Sequence, residues 1–97
     1  MREYEVTIII QPQLEEEERN KLIERISELL VPGADEEDKP TADEWGMRRL
    51  AYPILKFREG YYVLFEGAMD SALLPEAERS MQYMEDVLRY MVVRKEI

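Results

Sequence analysis

Arginine and aromatic residues are interleaved in three segments of this chain, at residues 1–4, 45–52 and 88–95. A guanidinium group binds phosphate oxygens through two parallel hydrogen bonds, and an aromatic ring stacks on an unpaired base. Together these groups favour the chemistry of RNA recognition. The same arginines would also solvate the edge of a β-sheet, and the residue types alone do not separate the two roles.

The residue types on which catalysis depends are scarce in this chain. It has no histidine and no cysteine, which removes the usual general base and the thiol nucleophile. Its serines therefore have no histidine to activate them. Its four glycines form no phosphate-binding loop. We predict that the chain is not an enzyme and that it uses no metal or other cofactor.

The acidic charge of the chain is concentrated in one region. The 97 residues carry a formal net charge of −9, which argues against non-specific binding to phosphates. Residues 13–44, however, hold 12 acidic and 4 basic side chains, whereas residues 45–97 hold 8 of each. The charge therefore excludes a solitary, non-specific RNA binder and leaves room for one that acts together with a basic protein.

Two runs of carboxylates, Glu15–Glu18 and Asp35–Asp38, form most of this acidic region. The first run is typical of the solvated opening turn of a helix, where acidic side chains complement the helix dipole. Neither run has the spacing of a calcium-binding loop. We therefore predict a solvated helix end and a solvated loop, with no metal site at either.

The sequence contains no recognisable targeting or membrane segment. It begins with alternating residues, not with a basic segment followed by an apolar run, and its apolar stretches are shorter than the ~18 residues of a membrane span. The length fits one domain over residues 1–97, and the absence of cysteine fits a reducing compartment. We expect a cytoplasmic protein that is monomeric when free and has no membrane or small-molecule partner.

Hydrophobic periodicity predicts six elements in the order strand, helix, strand, strand, helix, strand. In the first strand the apolar side chains at positions 4, 6, 8 and 10 share one face. Residues 34–44 are acidic, contain Pro40 and have almost no apolar side chains, so we expect most of this segment to be a mobile loop. The middle strands are expected to form a hairpin that turns at Phe57–Gly60. The predicted ranges are Arg2–Ile10, Glu15–Leu30, Trp45–Ala51, Tyr61–Met69, Ala72–Tyr83 and Val87–Lys95.

This order of elements is the ferredoxin-like split βαββαβ arrangement of the α+β class. Right-handed crossovers lead to a four-stranded antiparallel sheet in the spatial order 4-1-3-2, with two helices on one face and the other face open. Strands one and four are neighbours in that order. Arg2, Arg89 and Arg94 are therefore expected to share one edge of the sheet.

The third strand carries large apolar side chains on both of its faces. Tyr62 and Leu64 occupy the face that the helices leave open, where a water-facing surface would carry polar residues. An apolar open face usually marks a partner site, although cross-strand pairing of aromatic residues explains it as well. The segment Arg58–Phe65 only approaches the RRM pattern of RNA-binding domains, because Glu59 interrupts it, and we do not assign the chain to that family.

Four segments of the chain carry a likeness to a known family. They resemble, in order and over the whole chain, the S6 family of bacterial small-subunit ribosomal proteins. Residues 46–54 are the most specific of them, and the family has the βαββαβ fold that the periodicity predicts. The segments are Met1–Glu5, Trp45–Ile54, Gly60–Tyr62 and Val87–Val93.

The resemblance implies a structural component of the small ribosomal subunit that has no enzymatic activity. Members of the family pair with the small basic ribosomal protein S18, and the pair binds the central domain of small-subunit rRNA during assembly. On this resemblance, the RNA-facing residues are Arg2, Tyr4, Arg48, Arg49, Arg89 and Arg94. The surface for the protein partner is formed by Trp45, Tyr62, Leu64 and Tyr90.

One departure from the family and two rival functions bear on this interpretation. The acidic segment 35–40 replaces apolar strand sequence, so the first half of the second strand is expected to be lost or loop-like.

A ferredoxin-like regulatory or dimerisation domain that binds a small molecule would need a glycine-rich or metal-binding loop, and none is present. An enzyme of the acylphosphatase kind would need an asparagine over a phosphate loop, but the only asparagine, Asn20, lies on the first predicted helix.

Overall fold

A computed structural model of the chain describes residues 2–95 and contains the predicted elements in the predicted order. The first strand alternates buried and more exposed residues, and the helices bury one stripe each, as the two periodicities require. No helix within the described residues is long and apolar enough to cross a membrane. The elements are β1 (Arg2–Ile10), α1 (Glu16–Leu30), β2 (Thr41–Ile54), β3 (Phe57–Met69), α2 (Leu74–Gln82) and β4 (Val87–Arg94).

The strands form one sheet in the order β2-β3-β1-β4, with antiparallel pairing between all neighbours. This is the predicted order 4-1-3-2 counted from the opposite edge, so the ferredoxin-like prediction is confirmed. β1 and β3 lie in the centre, while β2 and β4 are the edge strands. The two edges are therefore separated by the full width of the sheet.

The core lies between one face of the sheet and both helices. Every second residue of β1 from Tyr4 to Ile10 is buried there, as the alternation predicts. Each fully buried large aliphatic side chain contributes roughly 1.5–3 kcal/mol relative to its exposure to water. The helices add Leu22, Ile23, Ile26, Leu30, Leu74, Ala77 and Met81, and β3 adds Val63, Phe65 and Met69.

The second strand begins earlier than predicted. It starts at Thr41, where we expected a mobile loop up to Glu44, and its first four residues pair with Glu66 back to Val63. Backbone hydrogen bonding to a central strand outweighs the missing apolar side chains of this edge segment. The expectation that the first half of this strand is lost was wrong.

Of the predicted loop, residues 34–40 remain outside the helices and strands. They include a turn in which the backbone carbonyl of Asp35 accepts from the N–H groups of Asp38 and Lys39.

The hairpin between β2 and β3 is also longer than predicted. Phe57–Gly60 belongs to β3 and is not a turn, because the chain reverses at Leu55 and Lys56. Leu55 adopts the left-handed backbone conformation, with φ of 56°. The pairing of β2 with β3 is interrupted between Arg49 and Ile54, where Pro53 has no N–H to donate to the ladder.

The second helix is shorter than predicted by about a turn. It spans Leu74–Gln82 in place of Ala72–Tyr83, and Pro75 lies in its first turn, where the missing N–H has no cost. The residues before it form a turn in which the carboxylate of Asp70 accepts from the N–H of Ala72 at 2.9 Å. The helix therefore starts after this turn and still buries Leu74, Ala77 and Met81.

Candidate functional site

The face of the sheet opposite the helices is the candidate site, and we call it the open face. The strand register defines it, because paired residues of neighbouring strands point to the same side. Thr7 of β1 lies level with Leu64 of β3 and Met91 of β4, and these three residues mark its middle. The open face further carries Glu3, Glu5, Ile9, Asp43, Arg48, Tyr62, Glu66, Arg89 and Val93.

The charge changes sign along the strands of the open face. At one end, which we call the acidic end, Glu3, Glu5 and Glu66 lie close together. The Nζ of Lys95 donates to Oε2 of Glu66 at 2.9 Å, and this hydrogen bond raises the pKa of Lys95. Within residues 2–95 no group of three or more carboxylates is arranged to hold a metal ion. The acidic end is therefore a charged protein surface that one lysine neutralises only in part.

The opposite end collects arginine and aromatic side chains, and we call it the arginine end. Ile9 pairs with Tyr62 on one side and with Arg89 on the other, which places these residues at one level of the sheet. Arg48 of β2 pairs with Gly60 of β3, which lies two residues before Tyr62 and on the same face. The arginine end comprises Trp45, Arg48, Tyr52, Tyr62 and Arg89.

A β-bulge turns Trp45 toward the open face. The register of β2 shifts between Glu44 and Gly46. Gly46 has φ of 88°, a conformation that only glycine adopts at little cost. The indole Nε1 of Trp45 donates to Oδ2 of Asp43 at 3.0 Å, and the Arg48 guanidinium lies 5.5 Å from the ring. Both neighbours belong to the open face, so the bulge places Trp45 beside them.

Tyr61 holds the start of this bulge from the helix side of the sheet. Its hydroxyl donates to Oε1 of Glu44 at 2.8 Å, and the Arg19 guanidinium of α1 lies 4.0 Å above its ring. The Nε of Arg19 is buried without a hydrogen-bond partner among the described residues, and the ring face compensates its charge. Burial, together with the hydrogen bond to Glu44, raises the pKa of Tyr61.

The segment Leu50–Ile54 crosses the open face, and we call it the strap. The Arg89 guanidinium lies 5.1 Å from the ring of Tyr52, although these residues belong to the two opposite edge strands. Leu50 is buried over Gly60, where an added Cβ would overlap the Cγ2 atom of Ile9. The absence of a side chain at Gly60 therefore leaves room for the Ile9 side chain on the neighbouring strand, and Leu50 of the strap packs over the same position.

A groove of about 390 Å³ lies between the strap and the sheet. Its lining is mostly apolar, and its polar side chains are those of Arg89, Thr7 and three tyrosines. Within residues 2–95, no carboxylate lines it. The lining includes Thr7, Ile9, Leu50, Tyr52, Tyr62 and Arg89.

The structure separates the arginines that we expected to share an edge. Arg89 is level with Ile9, whereas Arg94 is level with Tyr4, about 17 Å along the strand at 3.3–3.4 Å per residue. Arg94 and Arg2 also have the register of the helix side, while Arg89 has that of the open face. The two arginines of β4 share an edge strand beside β1, as expected, but they lie on opposite faces, so the three residues form no single cluster and only Arg2 and Arg94 lie near each other.

Tyr4 does not suit the RNA-facing role that the resemblance implied. It is only 8% exposed and belongs to the hydrophobic core. The alternation of β1 already placed it on the buried face, and burial keeps its ring from stacking on a base. Arg49 is exposed and pairs with Glu59 on the helix side of the edge strand, so it lies apart from Arg48.

Two of the four residues expected to contact a protein partner are unsuited to it. Leu64 lies on the open face but is only 8% exposed, because it sits in the middle of the sheet between Thr7 and Asp43. Tyr90 borders the groove, but it pairs with Ile8 on the helix side and packs against the core. Trp45 is exposed and Tyr62 half-buried on the open face, and their partner role remains a prediction.

Sequence reasoning missed Met91 and Val93 on the open face. Met91 is 59% exposed, and Val93 is also exposed on the same side of β4. Both faces of this strand carry apolar residues, so alternation alone does not show which set faces the helices. The pairing of Met91 with Thr7 settles the question, and no local sequence signal gives that register.

Three comparisons relate the whole chain to proteins of known family. A family model described as Ribosomal protein S6 matches residues 3–94. The small ribosomal subunit protein bS6 of Thermoanaerobacter pseudethanolicus is 46% identical over 94 residues, which cover 97% of each chain. That of Moorella thermoacetica is 38% identical over 96 residues, 99% of this chain and 96% of the relative. The crystal structure of 30S ribosomal protein S6 from Thermotoga maritima has a TM-score of 0.85 at 33% identity, and the match covers 97% of this chain and 87% of that chain.

Proposed function

The chain belongs to the ribosomal protein S6 family, and on that premise we propose that it binds the central domain of small-subunit rRNA together with the basic protein S18. Membership makes it a structural, non-enzymatic component of the small ribosomal subunit. The observation that carries the proposal is the arginine end of the open face. There, Arg48 and Arg89 lie beside three aromatic rings in a chain whose net charge is −9.

The arginine end has the chemistry that RNA requires. Arg48 and Arg89 are exposed, so their guanidinium groups are accessible to phosphate oxygens. Trp45 and Tyr52 present accessible ring faces next to them. We place the main RNA contact here.

Three further arginines lie away from the arginine end. Arg2 and Arg94 form a smaller basic pair at the other end of the sheet, and we propose them as peripheral phosphate contacts. We propose the same role for Arg49, which is exposed on edge strand β2. Phosphate contacts of this kind position RNA without reading its bases.

The rest of the open face suits a basic protein partner. Met91 and Val93 expose apolar surface, and the acidic end lies next to them. Complementary charge accelerates the association of two proteins and orients them. We place S18 at this surface, with Trp45 and Tyr62 at its border with the RNA.

The net charge explains why the partner is needed. Binding to RNA gains free energy from the release of counterions around phosphates, and a protein with a charge of −9 gains little from it alone. A basic partner supplies the missing positive charge. The two arginines of the open face then add positioned contacts to a surface that the pair forms together.

A binding experiment with and without the partner tests this function. The chain is titrated into a fluorescently labelled central-domain rRNA fragment at fixed salt, with and without purified S18. An rRNA fragment of equal length from another domain is the control. We expect weak binding by the chain alone and at least about tenfold tighter binding with S18, on the central-domain fragment only. A chain that neither pairs with S18 nor joins the RNA complex would contradict the proposal.

A further inference from the structure

The groove under the strap differs in charge from the chain around it. The chain carries 22 acidic residues, yet none of those described between residues 2 and 95 lines the groove, and Arg89 does. Arg48 lies on the same face and pairs with Gly60, the position over which Leu50 of the strap is buried. An unneutralised guanidinium in a groove attracts an anionic ligand and repels a basic protein segment.

The rings of the groove favour a planar ligand. Tyr52 is 53% exposed on the strap, and Tyr62 lies across from it in the sheet. The Arg89 guanidinium carbon lies 5.1 Å from the centroid of the Tyr52 ring, so a cation and an aromatic ring lie side by side before a ligand enters. A base that enters the groove meets an apolar floor formed by Ile9 and an aromatic face formed by Tyr52, which is how proteins hold unpaired bases.

We infer that this groove receives one unpaired base of the bound RNA, with its phosphate on Arg89. The inference rests on the proposed function, since it requires the RNA to reach the open face. It assigns the strap to RNA and not to the protein partner. S18 then contacts the remainder of the open face, from Val93 to the acidic end, and Met91, which also lines the groove, lies at the border between RNA and protein.

Substitution of Tyr52 tests the inference in the complete complex of chain, S18 and central-domain rRNA fragment. Tyr52→Ala removes the exposed ring, and Tyr83→Ala is the matched control, because Tyr83 is 80% exposed at the end of α2. Stacking of a base on an aromatic side chain strengthens binding by about an order of magnitude or more. We therefore expect RNA affinity to fall about tenfold in Tyr52→Ala and less than twofold in Tyr83→Ala, while pairing with S18 is unchanged in both.

Fluorescence of 2-aminopurine gives a second measurement that does not depend on affinity. The analogue replaces each unpaired base of the RNA fragment in turn, and its emission falls when it stacks. We expect one position to be quenched in the complex with the natural chain and not in the complex with Tyr52→Ala. Arg89→Gln, with Arg79→Gln as control, serves if Tyr52→Ala does not fold.

Each other outcome points to a different error. Equal RNA affinity for Tyr52→Ala and Tyr83→Ala, with no quenched position, would overturn the inference that the groove receives a base. The proposed function would remain. Loss of S18 pairing in Tyr52→Ala would show that the groove holds protein, and would also overturn the inference. Failure of the natural chain to join the RNA would remove the proposed function itself and the inference with it.

Discussion

At the scale of a single residue, the hydroxyl of Tyr61 supports the segment of β2 that carries Trp45. It lies on the helix side, yet its bond to Glu44 holds the residue just before the bulge that carries Trp45. Seventeen residues separate the two partners in the sequence, and no local pattern relates them. This contact was therefore beyond sequence reasoning, whereas the burial of Tyr4 was already present in the alternation of β1.

Removing the hydroxyl of Tyr61 should weaken the fold slightly. Tyr61→Phe keeps the ring under Arg19 and loses the hydrogen bond to a carboxylate. We expect the free energy of unfolding to fall by about 1 kcal/mol, since the bond is solvent-accessible. Urea unfolding followed by the emission of Trp45, the single tryptophan, measures this. Tyr83→Phe is the control, and equal stability of the two variants would contradict a stabilising bond.

Because of Tyr61, the stability of the natural chain should depend on alkaline pH more strongly than that of Tyr61→Phe. The pKa of Tyr61 is raised above the ordinary 10.0 because burial and the bond to Glu44 favour the protonated phenol. Its contribution to stability is therefore complete below pH 10.0 and is lost as the pH rises toward the folded-state pKa. In urea titrations above pH 10, the natural chain should lose stability faster than Tyr61→Phe. Parallel pH profiles for the two proteins would show that this tyrosine does not titrate as inferred.

At the scale of elements, the close packing of β3 beside β1 depends on the absence of a side chain at Gly60. A methyl group at this position would overlap the branched side chain of Ile9, which cannot move away as a flexible chain end can. We expect Gly60→Ala to lower the free energy of unfolding by roughly 1–3 kcal/mol, the usual cost of overpacking. The midpoint of thermal unfolding measures the change.

Ile9→Ala provides the test of this explanation, because it removes the Cγ2 atom that the new methyl group would overlap. The double variant Gly60→Ala, Ile9→Ala should therefore lose less stability than the two single variants together. Simple additivity would mean that the cost of Gly60→Ala does not come from Ile9.

The negative charges of Asp35–Asp38 should be dispensable for binding to S18. Its only ion pair, Lys39 to Glu36 at 3.1 Å among the described residues, is exposed, and such pairs contribute little. Replacing the four carboxylates of Asp35–Asp38 by amides should leave the affinity for S18 unchanged, as measured by calorimetry. Glu3→Gln with Glu5→Gln at the acidic end should weaken it. A larger loss from the first set than from the second would contradict the placement of S18.

Sequence periodicity predicted the elements better than their ends. Strong alternation located β1, because its buried residues repeat at every second position, and a run of large apolar residues located the core half of β3. Thr41–Glu44 was missed since an edge strand that pairs through its backbone needs no apolar side chains. The strap was missed because it depends on a long-range fit of Leu50 over Gly60.

The whole molecule separates its charges along the strands of one sheet. Composition showed that the arginine-bearing segments are nearly neutral, and the order of strands followed from the six elements. The grouping of Arg48 with Arg89, and of Arg2 with Arg94, required the register, which irregularities in β2 and β4 alter. The fold was therefore predictable from the sequence, but only part of the candidate site was.

The salt dependence of RNA binding tests most directly whether the arginine end faces RNA. The complex of chain, S18 and central-domain rRNA fragment is measured with Arg48→Gln, Arg89→Gln and with the matched helix variant Arg25→Gln, Arg79→Gln. Removing one arginine that binds a phosphate lowers the slope of log Kd against log salt concentration by about one. We predict a slope lower by about two for the first variant and an unchanged slope for the second. Equal slopes for both variants would contradict the assignment of the open face to RNA.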